Sequence, residues 1–539
     1  MRRAWAAAWA TLALPWPACT SGPTGGAPAP ESPAPVAPPA PAPEHSGDPT
    51  HSAAPYDCPD FRLPPPPPHP DFEACPTLDW MLDTGAGLER LVALVPLPGG
   101  DVLAAGSMSY YAWLPTDCSE RMFSDRGSAQ GFVIRLRPDG TRVWGHTIAA
   151  GHVVPASVTA GADGLWVVGS YRDGPLRVDG VEVGGVAGDD DSGFALAFDA
   201  DGALRRSLFL DNDGNPFRGR AIVEDADGTL TLAAELERHT SFSVGPLSIP
   251  AISTSGRSDA VLLQLDPSGH PRWLTGLGMR AEDVGSADAQ VHVLGLARAS
   301  DRLLLGLEPW SAGPVRVVVA GGRDGTVDRG PGARDLVVPV DHATGVVGWS
   351  WWRTPGSVVS GIAPYGTAAA RVVGWAPTPN TWTDASGVAH PFDHPTIPGA
   401  SVGVDAVVGP DGAPVTFETT GLLRDLTAVA SDGAGGRWLG GSSLHRPLGT
   451  GTDREWAPPE GVDVLALHLD AAGAFRCGVG FSSDGATGIQ TIVRDELGGV
   501  WIGGWHGDGF EVVTPDGPVA RADSGDGIAL FLVRFAPAP

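Results

Sequence analysis

One pattern constrains what this chain can fold into more than any other: a strand–turn–strand unit that recurs about seven times. Its clearest copy is residues 258–278, SDAVLLQLDPSGHPRWLTGLG, an apolar strand, a tight Asp-Pro-Ser-Gly turn and a second strand carrying Trp273. Other copies are GFVIRLRPDGTRVWGHTI (131–148), GFALAFDADGALRRSLFL (193–210), DLVVPVDHATGVVGWSWW (335–352), DAVVGPDGAPVTFET (405–419) and DVLALHLDAAGAFRCGVG (463–480). Apolar residues alternate with others, and Asp-Gly or a near equivalent separates the strands, which marks an antiparallel hairpin.

Between these units lies a second recurring element, an apolar strand, a short Gly/Asp turn and a strand ending in glycine, seen from the turn onwards in GGDVLAAGS, DGLWVVGS, DGTLTLAAE, SDRLLLGL, ARVVGW, GGRWLGGS and GGVWIGGW. Aligned at 106, 169, 235, 306, 374, 441 and 504, these ends are spaced by 63, 66, 71, 68, 67 and 63 residues. The two elements together supply four antiparallel strands per period, the unit of a β-propeller blade. The 75 glycines and 52 prolines, against 18% charged residues, agree: short strands joined by turns, with little helix.

The ends set the blade count. LDWMLDTG (78–85) matches only the last strand of a repeat, with Trp80 where Trp144 and Trp273 stand, and DGIALFLVRF (526–535) matches only the third strand. The expected fold is therefore an all-β, seven-bladed β-propeller of four-stranded antiparallel blades, its ring closed by N- and C-terminal strands sharing one blade, which also removes exposed sheet edges. Register is least defined in blade five, where the strand at 405–410 is short.

On these repeats the chain resembles the bacterial β-propeller repeat family of secreted and lipid-anchored proteins, whose units carry a DAFVxKLDxxGxxxW-type core followed by a glycine-ended strand. The resemblance covers roughly residues 78–535. It implies the fold and offers no shared catalytic residues to carry over.

The N-terminus predicts export. MRRAWAAAWATLALPWPAC (1–19) has a positive start at Arg2 and Arg3 and an apolar stretch too short to span a bilayer. Its Ala18-Cys19 ending resembles a lipoprotein signal, with Cys19 as the lipidated residue; Trp16 and Pro17 depart from that pattern, and ordinary signal cleavage is the alternative. Residues 20–74, rich in Ala and Pro with an unbroken run at 64–68, cannot bury a core and form a spacer before the propeller at 75–539. The expected location is the outer membrane or cell surface through a lipid anchor, or the extracellular space.

With Cys19 assigned to a lipid, Cys58, Cys75, Cys118 and Cys477 form an even set for disulfides in an oxidising compartment, with three pairings open and separate buried thiols as the alternative. None forms a CxxC pair of zinc-site spacing. A formal charge of -27, with all 35 basic residues arginine, would repel phosphate backbones and anionic lipids, so nucleic acid is excluded as a partner and membrane contact is confined to the anchor. A monomer is expected.

Where chemistry could sit is set by loop length. Turns within each half are short, whereas the connections at 107–130, 170–192, 236–258, 307–334, 375–404, 442–462 and 505–525 are long and emerge on the face that also carries the links between blades. Ligands usually meet the elaborated face; alternatively, strand-like pieces such as 241–250 only widen the blades. Aromatic residues in these loops, Tyr110, Tyr111, Trp113, Trp310, Trp375, Trp382, Trp456 and Trp505, could stack on a sugar or cap an apolar partner, or pack beneath their own loops. Of these, Tyr110, Tyr111, Trp113, Trp310, Trp382 and Trp456 are the ligand-binding candidates.

Three polar clusters read as structure. Asp211, Asp213 and Asn215 have calcium-loop spacing but Pro216 replaces the expected glycine. His390, Asp393 and His394 lie in HPFDHP, whose prolines exclude a helix that would align two histidines. Asp189, Asp190 and Asp191 read as a solvated loop tip. No metal and no cofactor are expected. The segment Asp341-His-Ala-Thr344-Gly345 with Trp349 resembles the tryptophan-docking motif of quinoprotein propellers, but the full motif occurs once, and GxSxG, HExxH and phosphate-loop motifs are absent. The expectation is a non-catalytic module binding a protein or glycan on the long-loop face. The alternatives are a propeller enzyme, quinoprotein-like or polysaccharide-acting, with an axial active site, and a structural envelope protein.

Overall fold

The structure is a computed structural model. It describes residues 77–537, except 84–89, 109–110, 114–120, 124–128, 163, 211–215, 238–240, 254–257, 285–288, 312, 328–333, 349–355, 367, 379, 384–387, 393–400, 421–422, 444–457, 459–460 and 523–527. The signal, the spacer, Cys19, Cys58, Cys75 and Cys118 lie outside the described residues, and so do residues 1–57, a unit separate from 58–539. No described helix is long and apolar enough to cross a membrane.

The chain is a seven-bladed β-propeller. Innermost to outermost, blade 1 is Arg90–Pro96, Val102–Met108, Gln130–Leu136 and Arg142–Ala149; blade 2 is His152–Ala160, Leu165–Arg172, Ser192–Phe198 and Leu204–Leu210. Blade 3 is Phe217–Glu224, Leu230–Leu236, Asp259–Leu265 and Pro271–Gly278; blade 4 has three described strands, Val291–Ala299, Arg302–Pro309 and Leu336–Asp341. Blade 5 is Val358–Tyr365, Ala369–Pro377, Ser401–Val408 and Pro414–Thr420; blade 6 is Leu423–Ser431, Arg437–Ser443, Val464–Leu469 and Phe475–Ser482. Blade 7 is Thr487–Arg494, Val500–His506, Ala529–Phe535 and, from the other end of the chain, Leu78–Asp83.

Ring closure follows the sequence reading. Leu78–Asp83 runs antiparallel to Ala529–Phe535, and Trp80 faces Arg534 at the register where Trp144 faces Arg135 and Trp273 faces Gln264. Asp79 on one terminal strand and Asp495 in the first turn of blade 7 both pair with Arg534 on the other.

Three details differ from expectation. Blade five is regular: its third strand starts at Ser401, where the Val/Gly alternation of SVGVDAVV already fits a pleated strand. The strand ends in blades 3 and 4 shift by one residue, because the ladder sets Ala234 and Leu307, rather than 235 and 306, level with Gly106. The strict apolar alternation also fails in the second and third strands. Leu230–Leu236, Asp259–Leu265, Ser192–Phe198 and Ala529–Phe535 are buried at every position, because each blade packs a neighbour on both faces.

The core is accordingly divided among the blade interfaces. Each of the seven apolar clusters draws on two successive blades: Phe132 and Ile134 of blade 1 with Trp501 and Leu530 of blade 7, for example, or Leu262 and Trp273 of blade 3 with Leu303 and Val338 of blade 4. Outer-strand tryptophans lock these interfaces. The indole nitrogens of Trp80, Trp144 and Trp273 donate to the carbonyls of Pro138, Ala200 and His342, each in the third-to-fourth-strand turn of the next blade. Each ring lies on the turn glycine: a Cβ on Gly140, Gly202 or Gly345 would come within 2.9, 2.7 or 2.6 Å of it. These glycines also have φ between +70° and +88°, so glycine is required both for the turn and for the ring that rests on it. The Asp341–Gly345 turn is thus a dock for Trp273 of the preceding blade; Trp349 lies outside the described residues.

Among the described residues three of the long loops widen blades, and the blade widened is the preceding one. Gly174–Val178 and Val181–Ala187, from blade 2, extend blade 1; Val315–Val319 and Arg323–Val327, from blade 4, extend blade 3; Phe510–Thr514 and Gly517–Ala522, from blade 7, extend blade 6. Phe242–Val244 with Leu247–Ile249 instead packs on its own blade, Phe242 stacking on Phe217 at 4.9 Å.

Candidate functional site

Every innermost strand carries a β-bulge at the same height, leaving Val92, Ala156, Arg220, Leu294, Ser360, Thr427 and Gln490 without a directly opposed partner. A bulge adds local twist and re-aims side chains, and this row borders the axis of the ring. Two residues nearer the long-loop face lies a second row, in which Arg90 faces Ser107, Val154 faces Ser170, Arg218 faces Glu235, His292 faces Glu308, Val358 faces Trp375 and Gly488 faces Trp505. Scaffold positions repeat one residue type around the ring. This layer does not, so it is where the molecule is individual.

Its densest part spans blades 3 and 4. Glu235 is 1% exposed. One carboxylate oxygen takes the Arg220 guanidinium at 2.7 Å; the other takes His292 Nδ1 at 3.2 Å and the Val293 amide at 3.0 Å. Burial pushes the Glu235 pKa up, but the charges and hydrogen bonds of Arg220 and His292 outweigh it and bring it from 4.5 to about 2. A carboxylate that stays ionised can only accept, so His292 Nδ1 carries a proton. Beside it stands Trp310, half exposed at 50%, its amide bonded to the Gln290 carbonyl at 3.0 Å and its ring edge-on to His292 at 5.5 Å.

Arg218 extends the network towards blade 2. It pairs with Asp191 at 2.5 Å and with Glu237, and these acids hold its pKa above the usual arginine value despite burial. Asp191 therefore belongs to an ion pair, and its carbonyl accepts the Phe217 amide, whereas Asp189 is exposed and Asp190 half-buried. His152, on the next inner strand, is pushed down by burial and by Arg172 and Arg218. The result is a cluster of paired charges in a strongly acidic protein.

The structure distributes the sequence candidates unevenly. Trp310 lies in this cluster. Trp382 does not: its ring is sandwiched between His390 at 4.4 Å and Phe417 at 5.0 Å, which commits both it and His390 to packing. Trp505 lies over Gly488, where a Cβ would be 2.6 Å from its indole nitrogen. The backbones of Tyr111 and Trp113 form a short hairpin with Arg121–Phe123. Tyr110, Trp456, Asp211, Asp213, Asn215, Asp393 and His394 lie outside the described residues. Cys477 is buried and disulfide-bonded, and the other four cysteines lie outside the described residues. Among the described residues no three His, Cys, Asp or Glu side chains gather as a ligand set for a metal. A cleft of about 360 Å³ lies on the short-turn side between blades 4 and 5, lined by Asp301, Arg302, Pro339, Gly348, Pro410 and Asp411; it contains none of the candidates.

Sequence reading missed Arg218, Arg220, Glu235 and His292. The signal was present at Glu235, a charge inside a strand that otherwise reads LTLAA, but aligning it with the terminal glycines of other repeats hid it.

No family model matches the sequence, and no curated protein matches it. Among solved structures, similar chains include selenomethionine-substituted virginiamycin B lyase from Staphylococcus aureus, at 10% identity and TM-score 0.35 over 84% of this chain and 97% of that one. A catalytically inactive form of that lyase with quinupristin has 9% identity and TM-score 0.33 over 84% and 98%. An ACO/RPE65 chimera has 10% identity and TM-score 0.33 over 85% and 92%. Likeness at this level bears on neither activity nor site. The fold and its axial layer define the class, a seven-bladed β-propeller with an individual polar mouth on its long-loop face.

Proposed function

We propose that the protein is an exported, lipid-anchored binding module, non-catalytic, whose protein or glycan ligand docks on the long-loop face over blades 3 and 4. The observation that supports this reading is Trp310: a half-exposed indole fixed against His292 offers a broad apolar face beside a hydrogen-bonding nitrogen. The charge of -27 disfavours polyanionic ligands. Glycan and protein arrays probed with the full chain and with Trp310→Ala test it. A ligand captured by the first and lost by the second is expected; no ligand on any array, together with cofactor-dependent turnover, would overturn it.

A second reading, an enzyme acting at the axis, draws support from the Glu235–His292 pair, since a buried carboxylate on Nδ1 is how a histidine base is oriented. Turnover that is lost in His292→Ala but kept in Trp310→Ala would favour it.

A further inference from the structure

Away from the axial mouth, one titratable group sits at a joint between blades. His146 lies on the outer strand of blade 1. Its Nδ1 is 2.6 Å from the Asp179 carboxylate, in the turn of the hairpin inserted from blade 2, and its Nε2 is 2.7 Å from the Gly202 carbonyl, in the last turn of blade 2. Both partners are acceptors. Only the doubly protonated imidazole can donate to both; a neutral ring turns a lone pair towards one of them. The ring also stacks on Phe198 at 5.0 Å and lies 5.2 Å from Trp144, and aromatic faces favour a cation.

The hairpin's backbone hold on blade 1 is short. Its ladder to the outer strand is two residue pairs long, Arg177 with Ala149 and Val178 with Ile148. Further bonds converge on Asp179: its amide donates to the Thr147 carbonyl, and its carboxylate accepts from the Thr147 amide at 2.9 Å, from the Thr147 hydroxyl at 3.3 Å and from His146. Asp179 and Gly180 have φ of 49° and 79°, the turn that presents Asp179 to both.

We infer that His146 makes this hairpin a pH-sensitive latch between blades 1 and 2, closed while the imidazole is protonated and loosened when it loses its proton. The other charges nearby are already engaged: Asp199, in the Gly202 turn, pairs with Arg205, and Arg135 donates to the Ala200 carbonyl of the same turn and pairs with Asp101. Asp201, in that turn, is exposed. Burial lowers the His146 pKa, but Asp179 and the Gly202 carbonyl outweigh it, so the folded value lies above the ordinary 6.5. A group raised on folding contributes fully below 6.5 and loses its contribution as pH rises through its folded value. The latch therefore loosens on the alkaline side.

Amide exchange on the full chain, expressed as protection factors to remove the intrinsic pH dependence, reads this directly. The hairpin Val315–Val319 with Arg323–Val327 is the internal control, since its ladder to blade 3 and its Arg316–Asp283 pair contain no histidine. Protection of 174–187 is expected to fall about tenfold relative to that control as pH rises through the His146 midpoint, the size of losing one charge-assisted bond. His146→Gln keeps a donor and cannot titrate, so the fall should vanish. A fall matched by the control, a fall retained in His146→Gln, or an imidazole NMR titration placing the His146 midpoint at or below 6.5 would each overturn the latch.

Discussion

Arg534 and Asp495 meet at 2.8 Å with both side chains buried, 4% and 0% exposed, and the same guanidinium reaches Asp79 on the strand that enters from the other end of the chain. Trp501 completes the arrangement, donating to Asp495 at 3.0 Å while the guanidinium lies over its ring at 5.7 Å. One arginine thus joins the first and last strands of the propeller to the inner turn of their shared blade.

Removing one partner of a buried pair leaves the other charge desolvated, at a cost of about 3–5 kcal/mol. Arg534→Ala should therefore lower the melting temperature of the full chain by several degrees. Deleting 526–539 removes the strand itself and should abolish cooperative unfolding; unchanged melting in both would refute closure through this blade.

The docking turns make a paired prediction. Gly202→Ala places a Cβ 2.7 Å from Trp144 at a φ of +88°, so backbone strain and overpacking add, on the order of 2–4 kcal/mol. Gly180→Ala has a similar φ of +79° with nothing within 4 Å, and should cost only the backbone term, about 1–2 kcal/mol. Denaturant midpoints measured side by side separate the two terms.

Glu235 should make the molecule acid-sensitive. Its pKa falls from 4.5 to about 2 on folding, so its contribution is complete above 4.5 and is lost as pH drops from there towards 2. The contribution is on the order of 3 kcal/mol. Glu235→Gln should be less stable than the parent at pH 7 and converge with it near pH 2; parallel stability curves across that range would contradict the network.

Trp310 is half exposed, so Trp310→Ala should move the melting temperature little, within about 0.5 kcal/mol of the parent, while weakening capture of any array-identified ligand at least about tenfold. Thermal melts and titration calorimetry on the same preparation report both.

The architecture was legible because it depends on features the sequence repeats: Asp-Gly turns, a tryptophan at one register, and termini that each lacked what the other supplied. Where the reading slipped, the cause was a residue whose role depends on its neighbours. Glu235 looks like a strand end until the ladder places Ala234 level with Gly106, and His292 looks like any strand residue until the ring curls it against Glu235 from the adjacent blade. Trp310 and Trp382 are alike in type and both lie in long loops, and it is the rings of His390 and Phe417 stacked on Trp382 that turn one of them into packing. The exchange of hairpins between blades left no mark in the sequence either, since a strand-like piece in a loop does not say which sheet edge it will find.

That exchange gives the ring a mechanical grain. Blades 1 and 2, 3 and 4, and 6 and 7 are each stitched by a hairpin that crosses from one to the other, whereas among the described residues no such stitch joins blade 2 to 3, blade 4 to 5 or blade 5 to 6. Pulled apart from its termini, the chain would yield along the unstitched seams first and surrender stitched blades in couples, so its extension trace would show steps of two periods for the three couples and of one period for blade 5, where a plain propeller would step in ones throughout.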